Sequence, residues 1–523
     1  MPTIFILGPL IPIPIFALVL ALGLLSRPIA TQAIDWIRRH AVTLGAVALA
    51  LYAATALAYL AVPTFFYDHV EAQIASVAFR ALSGDPIYHP LDDARRYSLL
   101  YGPATYLAPL LSYKIFGAGF MAAKLPGLMA LAGTGLALWI ALRALMPARE
   151  VVALLGLGAL LLASFIADGY RLRPDSLLLF AAALPLPGLA HRRPLWAAIG
   201  LGTGVALAFA LKAHGPLYLA PAAALLLLRH GWRPGLVALA TAAILTPIPF
   251  LHPAVDIGAY LDWLRKATQH GLRLGIAVII LQCGLFLLLP LGWLLPPSAW
   301  RRADRPLIAA LIAAIVVVLI VAVIGAKPLA GPRHLLPLVP VALYLAAELR
   351  GRLGSWPTDG RRMALAVAWL ATATIMAFAA QGQVAYEATV YAGDHDAADE
   401  IMAVQTANPG VAIEMGYAGG PREYRLSWLR PLLIFAGQPY SLDAAAVMDM
   451  QAAGLPLPAA TLQRLADCTT RWWLIPRGHE PFTLRTMYPP NPPLFDAAFA
   501  GAFRDRYRLI QSGDYFDVWG CNG

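Results

Sequence analysis

Apolar residues in this chain gather in long blocks, without the strict alternation of a half-buried strand or the narrow stripe of an amphipathic helix. The blocks fall at about 4–25, 41–62, 122–142, 150–167, 174–190, 195–212, 214–229, 234–251, 274–296, 305–325, 334–349 and 362–381. A helix needs roughly 20 apolar residues to cross the hydrocarbon core of a bilayer, so the pattern predicts about 12 membrane helices, several of them short for the task. After residue 380 charge becomes denser and no block of spanning length recurs. There 394–405 and 495–504 read as helices, the first following a capping Asp394, and 411–415, 471–475, 507–511 and 515–519 read as strands.

Composition agrees with this reading. Of 523 residues, 59% are hydrophobic and only 13% charged, and the mean hydropathy is +0.66, which excludes an ordinary soluble globular chain. The expected fold class is an α-helical polytopic membrane protein, residues 1–382, followed by a small soluble α/β domain, residues 383–523.

Charge orients the helices. Arg38-Arg39, Arg143 to Arg149, His191-Arg192-Arg193, Arg229 to Arg233, Arg301-Arg302 to Arg305, and Arg350 to Arg362 occupy alternate loops, so all fit on the cytoplasmic side. The loops at about 63–121, 168–173, 252–273 and 326–333, together with the C-terminal domain, then lie outside the cytoplasm. The net charge of +10 reflects this topology, and a nucleic-acid partner is not expected. The block at 4–25 has no Lys or Arg before it and is long for a signal sequence, so it reads as a retained helix, with a partly interfacial position as the alternative given Pro9, Pro12 and Pro14. Richness in Ala, Gly, Pro and Arg suggests a GC-rich bacterial genome and hence an inner-membrane location.

The candidate chemistry starts at Phe66-Tyr67-Asp68-His69-Val70-Glu71, where two acids and an imidazole follow the apolar block that ends at Val62. An acid at that boundary can meet a lipid-borne and a water-borne substrate together, or simply cap a helix, where the dipole favours negative charge. Further polar residues recur on the expected outer side: Asp168, Arg171, Arg173 and Asp175, then Lys212 and His214, then Lys327, Arg333 and His334. Cations at membrane depth are costly unless they snorkel or meet an anion. Their recurrence favours a shared anionic ligand, and phosphate suits Arg, Lys and His donors. Acid and phosphate-binding cations at one membrane face suit transfer of a group from a lipid-linked phosphate to a hydroxyl. Asp68 would act as general base, while Lys212, Lys327 and Arg333 offset the charge growing on the departing phosphate.

The order of motifs resembles the GT-C superfamily of polyprenyl-phosphate-dependent glycosyltransferases, in the branch of protein O-mannosyltransferases and the aminoarabinose transferase of lipid A. The resemblance runs from Asp68 and Glu71 through Gly84-Asp85-Pro86-Ile87-Tyr88 and Tyr101-Gly102-Pro103-Ala104-Thr105-Tyr106-Leu107. It continues with Arg173-Pro174-Asp175, Lys212 and Gly331-Pro332-Arg333-His334-Leu335-Leu336-Pro337. It implies a GT-C-like membrane domain and an inverting transferase that uses a polyprenyl-phosphate-linked sugar donor and a lipid, glycan or protein acceptor. Asp68 takes the catalytic acid position, and Lys212 and Arg333 bind donor phosphate with His334 nearby.

Other residues carry open alternatives. Tyr88, Tyr97, Tyr101 and Tyr106 can line a sugar site or form an interfacial aromatic belt. Arg173 and Asp175 can bind substrate or pair structurally. His69 and Glu71 can join Asp68 around a divalent ion, but hydrogen bonding is the preferred reading, so no metal and no cofactor are expected. Cys468 and Cys521 can pair in an oxidising compartment and tie down the C-terminus, while Cys283 reads as a buried small hydrophobe. Trp472 and Trp473 read as core of the outer domain, and Asp262, Arg265 and Lys266 as the solvated face of an interfacial helix. The competing classes are a transporter or flippase of an anionic lipid or solute, and a polymer ligase with a diphosphate-lipid donor.

Overall fold

The computed structural model describes residues 16–18, 20–21, 27–164, 169–293, 304–327, 330–353, 360–392, 394–488 and 490–522. Most of the block at 4–25, Asp168 and the basic pair Arg301-Arg302 lie outside these residues.

Among the described residues, seven helices are long and apolar enough to cross a membrane: Asp35–Ala61, Phe120–Arg143, Pro194–Leu211, Trp232–Leu251, Leu274–Gly292, Arg305–Ile324 and Arg362–Tyr386. The other apolar blocks form shorter elements for local reasons. Block 214–229 opens with a 3-10 turn, Gly215–Leu219, before the helix Ala220–His230. Block 334–349 likewise spends its first residues in the 3-10 turn Pro332–Leu338 and continues as Val339–Leu353. Block 174–190 divides into Pro174–Ala183 and Leu186–Ala190 around Pro185. In each case proline near a helix start favours a break, because it cannot donate to the preceding turn.

The chain forms two compact units. One contains Met1–Tyr59, Gly127–Ile248 and Leu272–Ala385; the other contains Leu60–Pro126, Pro249–Gly271 and Tyr386–Gly523. The C-terminal region is therefore part of a larger body that includes the expected first outer loop and the segment 249–271.

The first unit is a helical bundle held by close backbone approach and buried hydrogen bonds. A Cβ on Gly156 would stand 2.2 Å from the Gly45 Cα, so the helices Arg27–Ala61 and Ala148–Ser164 touch backbone to backbone, an approach only glycine permits. Ser164 donates to the Ala373 carbonyl at 2.9 Å, and the Trp369 indole to the Phe286 carbonyl at 2.7 Å. Ion pairs join Arg350 to Glu150, Arg229 to Glu348 and Arg352 to Asp304, at 2.8, 2.8 and 2.7 Å. These pairs tie together segments that the distribution of arginine assigned to one side.

The second unit is built on a four-stranded sheet in the order β1-β2-β4-β3, with β1 Ile413–Met415, β2 Trp472–Pro476, β3 Tyr507–Ser512 and β4 Phe516–Cys521. β1 runs parallel to β2, and the remaining pairs are antiparallel. All four strands fall where alternation in the sequence placed them, as do the helices His395–Ala407 and Ala497–Arg506. Trp473 is buried against Phe482 and Phe503, whereas Trp472, one residue away and so on the opposite face of the strand, is only half-buried. Cys468 and Cys521 are disulfide-bonded with Cα atoms 6.0 Å apart, and Cys283 is a buried free thiol.

The loop 60–126 is stitched to the C-terminal segment by backbone pairing at Arg96. Its N–H donates to the Ser441 carbonyl at 2.6 Å, and its carbonyl accepts from Asp443 N–H at 2.7 Å. Asp443 caps the helix Ala444–Ala452 through Ala446 N–H, accepts from the Tyr440 hydroxyl at 2.8 Å, and forms a buried ion pair with Arg430. The amphipathic helix Ile257–Ala267 seals the loop from another side. Trp263 donates to the His89 carbonyl at 3.0 Å, while Asp262 and Arg265 pair on its exposed face, as the sequence suggested.

Candidate functional site

Two polar centres stand out, one in each unit. In the second unit, Asp68 is the N-cap of the helix His69–Leu82. Its Oδ1 accepts from Val70 N–H at 2.7 Å and Glu71 N–H at 3.1 Å, satisfying donors that a helix start otherwise leaves unpaired. Glu71, fully buried, reaches back to accept from Tyr67 N–H at 2.7 Å. Lys124 completes this turn from the helix Phe120–Arg143. It donates to the Val62 carbonyl at 2.6 Å, lies 5.6 Å from the centre of the Phe66 ring, and faces Glu71 electrostatically. The capping reading of Asp68 therefore holds, and the cap fixes the carboxylate within a turn clamped by buried charge.

His69, the next residue, packs against Tyr424 and Trp428, with ring centroids 6.0 and 6.4 Å away. Tyr88, Tyr97 and Tyr106 are completely buried. Tyr88 donates to the Tyr101 carbonyl at 2.6 Å and Tyr97 to the Pro86 carbonyl at 2.9 Å. These three rings thus pack the interior of the loop and form neither an interfacial belt nor an open sugar-facing surface. His89 holds the same loop together, its Nε2 accepting from Tyr97 and Ser98 N–H at 3.1 and 3.2 Å. Burial lowers its pKa to about 4, so it is neutral and free to accept near pH 7.

The centre in the first unit lies where three elements end. Asp175 sits in the first turn of Pro174–Ala183, Lys212 follows the last residue of Pro194–Leu211 in extended conformation, and His334 lies in the turn Pro332–Leu338. Lys212 and Asp175 are both buried and paired at 2.7 Å. Arg173 and Arg333 act electrostatically on Lys212, and Lys327 on His214. The His214 and His334 rings are 5.7 Å apart. Burial first, and Lys212 second, lower the pKa of His214 to about 4 and that of His334 well below its ordinary value. Both imidazoles are neutral at pH 7 and offer hydrogen bonds without charge. Among the described residues, His214 Nε2, His334 Nδ1 and the Tyr218 hydroxyl are buried polar atoms without a hydrogen-bond partner, which marks this centre as polar beyond its own structural needs.

No protein-family model and no curated protein matches the sequence. Two solved structures share its architecture: ArnT from Cupriavidus metallidurans bound to undecaprenyl phosphate, with a TM-score of 0.50, and the same protein in the apo state, with 0.51. The fold is that of ArnT. Each match covers 90% of this chain and 97% of that one at 14% identity, so the likeness to ArnT is one of fold. The architecture expected from the sequence, membrane-length helices followed by a small C-terminal α/β region, is the one found.

Within the ArnT-like fold, the expected site residues separate into the two centres. Asp68, His69, Glu71, Tyr88 and Tyr101 belong to the second unit; Arg173, Asp175, Lys212, Lys327, Arg333 and His334 belong to the first. Asp175 takes Lys212 as its ion-pair partner, so the charge of Lys212 is already matched in part. Among the described residues, no three His, Cys, Asp or Glu side chains gather as a metal-binding group. Sequence reasoning passed over Lys124 and Tyr424. Lys124 carried a usable signal, a lone cation inside an apolar block, whereas nothing near Tyr424 linked it to residues more than 300 positions earlier.

Proposed function

We propose that this protein is an inverting glycosyltransferase of the bacterial inner membrane that moves a sugar from a polyprenyl-phosphate donor to a hydroxyl acceptor on a lipid, glycan or protein at the extracytoplasmic face. The observation that carries the reading is the ArnT fold over 90% of the chain, one of the two ArnT structures holding undecaprenyl phosphate, in a chain that keeps a capped acid at the start of its first outer loop. In the proposed reaction the acceptor oxygen attacks the anomeric carbon as Asp68 takes its proton. The bond from that carbon to the phosphate oxygen breaks, and the polyprenyl phosphate departs with the extra negative charge. Arg333 and Lys327 oppose that charge, Lys212 adds what its pairing with Asp175 leaves, and the neutral His334 supplies a hydrogen-bond donor.

The test is transfer from a panel of radiolabelled polyprenyl-phosphate sugars by purified protein, with native lipid extract as acceptor. Wild type should transfer one sugar, without added divalent ion and in the presence of a chelator. Asp68→Asn should bind donor yet lose about 10²- to 10⁴-fold in turnover, the usual worth of a general base. Near-normal turnover by Asp68→Asn would remove Asp68 from the mechanism. Anionic solute or lipid flux without transfer would favour a transporter instead.

A further inference from the structure

Tyr424 lies in a short helix, Pro421–Leu426, in the C-terminal part of the chain. Tyr424 is 1% exposed and its ring packs on the His69 ring, with the Trp428 ring, from the 3-10 turn Ser427–Leu429 that follows, 6.2 Å away. The Tyr424 hydroxyl is buried, and among the described residues it has no hydrogen-bond partner, although a buried tyrosine oxygen ordinarily finds one.

The charged and polar groups that act on it electrostatically include Asp443, Arg430, Tyr417 and Asp68. The first three are satisfied without it. Asp443 accepts from Tyr440, Arg430 and Ala446 N–H; Arg430 donates to the Tyr417 and Tyr440 hydroxyls at 3.0 and 3.3 Å; the Tyr417 hydroxyl donates to the Leu442 carbonyl at 3.0 Å. Asp68 is the group on which a further donor has chemical consequence.

We propose that Tyr424 is a positioning residue for the Asp68 carboxylate, its phenol donating a hydrogen bond to Asp68 as the acceptor binds, so that the C-terminal region completes the site begun by the first outer loop. This rests on the reading of Asp68 as the base. The hydroxyl holds the carboxylate in its ionised form and aims it at the acceptor proton, while His69 and Trp428 fix the ring that carries it.

Tyr424→Phe removes only the hydroxyl. Since that oxygen has no partner among the described residues, melting temperature should stay level or rise slightly. With the donor identified in the panel, kcat should fall about tenfold at unchanged donor KM, the size expected for one hydrogen bond to a charged group. A donor to a carboxylate favours ionisation, so its loss should also move the acid limb of the pH–rate profile up by about one pH unit. A wild-type kcat and an unmoved acid limb would overturn the proposal, as would a lowered melting temperature with the acid limb unmoved, which marks a packing role. Asp68→Asn measured in parallel separates the two failures. If Asp68→Asn is inactive while Tyr424→Phe behaves as wild type, only this inference falls; if Asp68→Asn transfers normally, the base assignment falls with it.

Discussion

Replacing Lys212 by methionine keeps most of the side-chain volume but strips Asp175 of its counter-charge in a place water does not reach, the two side chains being 7% and 2% exposed. At 2.7 Å and an effective dielectric of about 20, the attraction lost is about 6 kcal/mol. Some of this is offset because the lysine no longer has to be desolvated. Breaking one partner out of a buried pair typically costs about 3–5 kcal/mol, which is the loss expected for Lys212→Met. Asp175→Asn/Lys212→Met, with no charge left to bury, should recover most of it, since buried pairs contribute little relative to neutral replacements. Thermal melts of the purified protein in one detergent at pH 7 would compare wild type, the two single variants and the double variant. A Lys212→Met protein as stable as wild type, or a double variant no better than either single one, would refute the reasoning. The same proteins separate structure from donor binding. If Lys212 serves chiefly to neutralise Asp175, the double variant should bind a polyprenyl-phosphate analogue nearly as wild type does, whereas Arg333→Ala should not.

The turn around Asp68 gives a second prediction. Lys124→Met should lower transfer by orienting Asp68 less well, and the exchange Glu71→Lys/Lys124→Glu should recover more activity than either single reversal, as a double-mutant cycle in transfer assays would register. His89 sets a pH limit on the second unit. Its folded pKa, about 4, lies below the ordinary value near 6.5, so the unfolded chain binds the proton more readily between these values. Stability should be fully present above about pH 6.5 and fall by about 3 kcal/mol as pH drops toward 4, with Arg96 and Arg95 opposing protonation and Asp93 favouring it. His89→Asn should flatten the pH dependence of melting in that window, and an equally steep profile in the variant would contradict the assignment.

What the sequence disclosed, and what it withheld, follows from the kind of signal each feature leaves. Apolar blocks and alternating strands are local, so Leu274–Gly292, Arg305–Ile324 and all four strands fall where the pattern placed them. Arginine in alternate loops identified segments that do meet, through Arg350 with Glu150 and Arg229 with Glu348. Partner choice is another matter. Asp175 and Arg173 are neighbours in sequence, yet the first turn of a helix directs Asp175 to Lys212, 37 residues on. Tyr88, Tyr97 and Tyr106 fitted a sugar site or an interfacial belt equally well in the sequence, and only the bonds of Tyr88 and Tyr97 to loop carbonyls reveal that the loop has its own interior. The capping of Asp68 was readable from its position before an apolar helical run, but the clamp of Lys124 on Val62 and Glu71 spans 62 residues and leaves no periodic trace.

The stitching of the segment 60–126 to the C-terminal region sets a timetable for synthesis. Thr461 hydrogen-bonds to the Ala94 carbonyl, 367 residues earlier. At a translation rate of roughly 5–20 residues per second, the loop that bears Asp68 waits between roughly twenty seconds and over a minute for that partner to be made. During that interval its buried tyrosines lack the surfaces that cover them in the finished protein. A ribosome that stops before Ser441 would leave a chain with its membrane helices complete and this loop unfinished, a natural substrate for quality-control proteases. Completion of the loop that bears Asp68 is thereby made conditional on the message having been read through Thr461.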